Sequence, residues 1–238
     1  MKITSTTGLN FTTGLLSLLS LATLVEVNSA QALVNGSFET GDFTGWETTG
    51  NTSIETFGFG SGPTDGDFEA FLSTAQPTVS DLEIENFLGL AVGSLDDLGT
   101  NDARVGSAIK QTVTAKAGDI LTFDWNFLTN ESTPAFFNDF AFVSLTGLNL
   151  LADTFSPFVT SLTPFDEETE FQTFSFTFET AGTYTLGLGV ADIFDTLVDS
   201  GLLVDNVELE SVPEPTSILS LLSLVALGTG SVLKRQHK

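Results

Sequence analysis

The stretch DILTFDWNFL, residues 119–128, sets Leu121, Phe123, Trp125 and Phe127 at every second position, with Thr122, Asp124 and Asn126 between them. Successive side chains of a strand point to opposite faces, so this alternation predicts a half-buried strand with one apolar and one polar side. The same period runs through Phe174, Phe176 and Phe178 in FQTFSFTFE (171–179) and through Tyr184, Leu186, Leu188 and Val190 in TYTLGLGV (183–190). One-sided burial is the habit of antiparallel sheets. SAIKQTV (107–113), FAFVSL (140–145) and LLVDNVEL (202–209) extend the set, and Gly118-Asp119 and Ala181-Gly182 supply turns between neighbours. The expected fold is all-β, an antiparallel β-sandwich.

One segment breaks the rhythm. In SDLEIENFL (80–88), Ser80 and Glu83 stand at capping-box spacing and Gly89 follows as a stop, which predicts one short helix. Residues 89–102 and 152–170 then read as long loops, the places where a sandwich carries function. No repeat of 20 to 50 residues is visible, which argues against a solenoid or propeller.

Composition narrows the chemistry. Residues 33–211 contain 29 acids and only three cations, Arg104, Lys110 and Lys116, a net charge of −26. Such a surface repels nucleic-acid phosphates and anionic headgroups, so no nucleic-acid partner is expected. It attracts divalent cations, although solubility alone would explain it equally well. There is no cysteine, so the domain is held by its core, to which 21 of the 22 phenylalanines and Trp46 and Trp125 can contribute. The single histidine, His237, lies near the end of the chain, which removes Ser-His, Cys-His and His-based metal catalysis from the body. Carboxylate pairs remain abundant but none stands out, and the expectation is a protein that is not an enzyme.

Both ends are apolar. Lys2, the run Leu15–Val25 and the small residues of NSAQA (28–32) make a signal peptide, 1–32, with cleavage after Ala32. At the other end stand Val212, Pro213, Glu214 and Pro215, and from Pro215 nineteen residues run uncharged to 233 before Lys234, Arg235 and Lys238. That run forms a helix of about 28 Å, enough to cross a bilayer with its basic tip inside. Each proline lacks a backbone donor and holds its predecessor extended, so the helix cannot invade the motif.

This arrangement over 212–238 resembles the sorting signal of PEP-CTERM proteins. The resemblance implies recognition of Pro213-Glu214-Pro215 by an exosortase-type processing enzyme, at least transient membrane anchoring through the C-terminal helix, and export to the cell surface or extracellular matrix. A second resemblance concerns the body, 33–211. LVNGSFETGDFTGW (33–46) and LLVDNVEL look like the first and last strands of galactose-binding-like jelly rolls, the fold of many carbohydrate-binding modules. It implies a non-catalytic domain, a structural Ca2+ near those strands, and Glu39 and Asp205 as candidate ligands. By alternation Asp205 shares a face with Leu203 and Val207, where its carboxylate needs either a cation or backbone donors.

A glycan site needs an exposed aromatic ring beside polar groups. Trp46 and Trp125 read as core. Phe136, Phe137 and Asn138, in a loop, are the better candidates, together with the space beneath the helix from Ser80. An acidic rim disfavours sulfated and uronic sugars, so the expected ligand is a neutral polysaccharide. The competing class is a purely structural envelope or matrix component without a small ligand.

Overall fold

A computed structural model describes residues 33–99, 101–134 and 136–212. The expected signal peptide, Pro213, Glu214 and Pro215, and the apolar tail lie outside the described residues. Among the described residues no helix is long and apolar enough to cross a membrane.

Thirteen strands are described. The first five are β1 (Glu47–Thr49), β2 (Asn51–Thr56), β3 (Phe68–Ser73), β4 (Val79–Ser80) and β5 (Ala103–Ala115). β6 (Ile120–Thr129), β7 (Phe140–Ser144), β8 (Leu148–Asp153), β9 (Val159–Thr160) and β10 (Glu167–Glu168) follow. β11 (Gln172–Thr177), β12 (Gly182–Ile193) and β13 (Ser200–Glu210) close the chain. They form two antiparallel sheets, a jelly-roll sandwich. One sheet runs β1-β5-β12-β7-β8 with β4 on β5; the other runs β2-β3-β13-β6-β10-β9 with β11 on β6.

The opening stretch behaves as its pattern dictates. Leu121, Phe123, Trp125 and Phe127 of β6 face the core between the sheets, with Ile109, Val113, Leu186, Leu188 and Val190 opposite. Phe123 stacks on Phe174 of β11, its register partner, at 4.8 Å. Complete burial of one such ring stabilises the fold by about 2–3 kcal/mol. Both tryptophans are buried in the same core.

The first sheet is covered on its outer face too. Helix α1 (Asp81–Leu88) begins with the capping box that Ser80 and Glu83 predict and ends at Gly89, φ 74°. Ile84 and Leu88 press onto Ala108, Phe142, Ala191 and Ile193, a second core. Gly187 and Gly189 on β12 make room for it: a Cβ at Gly187 would lie 2.6 Å from the Leu88 side chain, and one at Gly189 would collide with Phe142. The small-large alternation of LGLGV is therefore two packing faces at once.

Three expectations need correction. A second helix, α2 (Ser94–Gly99), occupies part of the expected 89–102 loop, and β9 and β10 lie within 152–170. α2 is too short to show a period; Glu85, buried in α1, fixes its start by accepting from the backbone N–H of Gly93 and Leu95. Residues 33–46 form turns rather than a first strand, because Asn35 and Phe38 adopt φ of 53° and 57° and the chain folds through Phe38 N–H to Asn35 O and Gly41 N–H to Phe38 O. On β13 a bulge between Asp205 and Glu208, with Asn206 at φ 49°, breaks the alternation. Val207 joins the core, while Asp205, like Leu203, lies on the opposite, outer face.

Candidate functional site

The loop between β6 and β7 carries the three residues expected to meet a ligand, and the structure separates their roles. Phe136 is 76% exposed and lies parallel to Phe194, centroids 5.4 Å apart and planes 12° apart. Phe137, half-buried, packs edge-on against Phe136 at 5.5 Å. Asn138 is a brace: its Oδ1 accepts from the Thr154 N–H and hydroxyl, and its Nδ2 donates to Asp153. The exposed surface is thus a flat aromatic step, Phe136 on Phe194, without the Asn138 amide as a free partner. Phe194 stands at φ 68°, just beyond β12, where its N–H donates to the Asp102 carbonyl.

Directly behind this step is a group of acids. Asp139 and Asp192 are each 1% exposed. Asp139 Oδ1 accepts from the Ile193 N–H at 3.0 Å and its Oδ2 from the Ser200 hydroxyl at 2.7 Å. Neither Asp192 oxygen meets a donor at hydrogen-bond geometry. The Thr74 hydroxyl beside it lies 3.3 Å from the Ser200 carbonyl and draws the Asp192 carboxyl down only in part. Burial pushes both carboxyls well above the ordinary range; the Ile193 and Ser200 bonds pull Asp139 part of the way back, while Asp139 itself pushes Asp192 further up. Asp139, Asp192 and Phe194 were not singled out by pattern. The signal was there: Asp192 is an acid in VADIF, the end of a strand apolar on both faces.

Glu39 and Asp205, named as a pair, do converge on one loop, Thr64–Phe68. Asp205, 0% exposed, takes the Thr64 N–H at 2.7 Å and the Asp65 N–H at 2.8 Å on Oδ2, and the Asn206 N–H at 2.7 Å on Oδ1. Exposed Glu39 takes the Asp67 and Phe68 N–H groups on Oε1, at 2.8 and 2.9 Å. Backbone donors therefore fill the role at Asp205 that a cation could fill. Burial still holds the Asp205 carboxyl above its usual range, with those bonds acting against it.

Beside Asp205 on the same face lies Glu69 of β3, 0% exposed with both oxygens unpartnered. Burial, then Asp205, Glu55 and Glu168, push it up to about 8. Glu168 is itself held by Asn126, Ser61 and Ser161. Among the described residues no group of three or more acids or histidines is arranged to hold a metal ion. An open groove of about 560 Å³ runs along the far end of β13, lined by Leu33, Gly36, Ser37, Val207, Glu208 and Ser211, well away from Phe136. Val212 is exposed at its edge and donates its N–H to Asp119 at 3.2 Å.

No family model matches the sequence, and no curated protein matches it. Among solved structures it is similar to the carbohydrate-binding module TmCBM61 in complex with β-1,4-galactotriose, 16% identical, TM-score 0.42, covering 76% of this chain and 98% of that one. TmCBM27, described for mannan recognition, is 16% identical with TM-score 0.36, covering 77% and 96%. A CBM4 structure is 14% identical with TM-score 0.33, covering 71% and 96%.

Proposed function

We propose that this chain is an exported cell-surface or extracellular-matrix protein, sorted through Val212-Pro213-Glu214-Pro215, whose body is a non-catalytic module that binds neutral polysaccharide at the Phe136–Phe194 step. The observation that supports it best is the step itself. A large ring left three-quarters exposed and backed in parallel by a second ring offers a flat apolar face to a pyranose. Since the Asn138 amide is engaged, sugar hydroxyls meet mainly water, so binding is weak. Titration against β-1,4-galactotriose and mannan, the glycans named for the similar modules, tests this: saturable binding lost on Phe136→Ala supports it, and no binding to any glycan together with self-association favours a structural matrix component.

Export and sorting rest on the sequence at both ends. The mature protein begins near Leu33 and, after exosortase processing, lacks residues beyond about 215. Intact mass of material from the envelope or medium reads both ends together, and a full-length tail at the cell surface overturns the processing step. A structural calcium at Glu39 and Asp205 belongs to the same proposal, supported by their convergence on one loop and by the net charge. Specific binding to the folded state adds about 2.7 kcal/mol at hundredfold excess over Kd. A melt with calcium and with chelator measures it; no shift, or an equal shift with magnesium in Asp205→Ala, removes calcium from the reading.

A further inference from the structure

We infer that Asp139 and Asp192 share a single proton, forming an acid–carboxylate clasp that ties together the two segments bearing Phe136 and Phe194 and loosens when that proton leaves. The clasp lies where four strands end: β7 begins after Asp139, β12 ends just after Asp192, β3 ends before Thr74 and β13 begins at Ser200. It holds whether or not the aromatic step binds a glycan.

The geometry assigns the two members different roles. Asp139 receives an N–H and an O–H, both pointing at its carboxylate, and is the charged partner. Asp192 is equally buried with both oxygens unpartnered, and the β12–β7 register, Ala191 opposite Phe140, sets it across from Asp139. As a carboxylate it would be a buried charge against another; as an acid it donates its O–H to Asp139 and both are satisfied. The neutral Thr74 hydroxyl beside it only partly offsets the burial. The facing ionisable groups are acids: Glu131 from the loop after β6, itself with a buried unpartnered Oε1, and Asp195 and Asp199 from the loop before β13. Arg104 is engaged with Asp102 at 2.8 Å, Lys110 with Glu47 at 3.6 Å, and no other ion pair occurs among the described residues.

The sign follows directly. Both carboxyls are raised in the folded state, so the folded protein holds a proton that the unfolded chain has already released. The stabilisation is complete below the ordinary carboxylate range and is lost as pH climbs through neutral into mildly alkaline solution.

Glu69 titrates in the same window, so the test uses the protein carrying Glu69→Gln. Its melting temperature falls by about 3–5 °C per pH unit between pH 6 and 8. Adding Asp192→Asn, which donates permanently in place of the acid, flattens that slope. Infrared spectroscopy of the Glu69→Gln protein reads the proton without touching the pair: a buried carboxylic-acid C=O band is present at pH 6, fades as pH rises through about 9, and is reduced in Asp192→Asn. Should that variant not fold, the infrared titration alone decides. A flat melting profile in Glu69→Gln, a slope unchanged by Asp192→Asn, or no protonated carboxyl band at pH 6 overturns the clasp.

Discussion

Asp205 and Asp192 are the same side chain, buried to nearly the same degree on an inner strand of each sheet, and they solve the problem of burial in opposite ways. Asp205 is surrounded by amides from Thr64, Asp65 and Asn206 and keeps its charge for a purpose: it pins a loop 140 residues away in sequence. Asp192 has another acid and one neutral hydroxyl, Thr74, beside it and no backbone donor, and its charge is neutralised by a proton. Burial alone does not decide the state of a carboxyl group; the donors around it do.

That contrast is broken most sharply by making one substitution at both places. Asp205→Asn turns an NH2 toward backbone N–H groups and loses acceptors, at a cost of about 3 kcal/mol, a fall in melting temperature of about 6–12 °C. Asp192→Asn, by contrast, is near neutral at pH 6 and stabilises by about 3 kcal/mol at pH 9, because the wild-type fold has held an extra proton at a growing cost over those pH units. Urea unfolding at the two pH values measures both. Equal losses at both sites and both pH values would erase the distinction.

Glu69 tests whether a third buried acid follows the Asp192 pattern. Its carboxyl is raised to about 8, so its contribution is present below the ordinary glutamate range and is lost as pH rises through about 8. Glu69→Gln is expected to leave stability at pH 6 unchanged and to gain about 2–3 kcal/mol at pH 9, read from the same unfolding curves. Glu39→Ala, on the exposed side of the gripped loop, costs about 1 kcal/mol and loosens Asp67 and Phe68, visible as faster amide exchange at those two residues. Phe136→Ala gives the smallest effect on folding, within about 0.5 kcal/mol, because most of the ring is already in water. Its consequence is confined to glycan titration.

Much of this architecture is legible in the sequence, and the gaps have physical causes. β6, β11 and β12 announce themselves because each turns an alternating apolar face to the core, only half-buried at Phe174 and Phe176 of β11, and Ser80, Glu83 and Gly89 mark α1 because caps are local chemistry. β3 does not, since FEAFLS is covered on both sides and Glu69 and Phe71 blur the alternation. α2 is hidden because its stability comes from Glu85 in another helix. Glu39 and Asp205 were readable as residues that belong together, but the loop they hold was not, because a backbone N–H leaves no trace in sequence. Val207 was misplaced for a related reason: a one-residue bulge at Asn206 reverses the face of everything after it. Phe136 was found by its position in a loop, whereas its partner Phe194 and the acids behind both depend on strand ends meeting from distant parts of the chain.

The bond from the Val212 N–H to Asp119 sets the direction in which this molecule reaches. β13 and β6 run side by side from Ser200 and Thr129, at the pole of the aromatic step, to Glu210 and Ile120, where the described chain departs. Eleven residues of strand put about 35 Å between the two poles. Phe136 and the point where the chain leaves at Val212 therefore sit at opposite poles of the sandwich, so a ligand on the aromatic step and the departing chain do not compete for the same space.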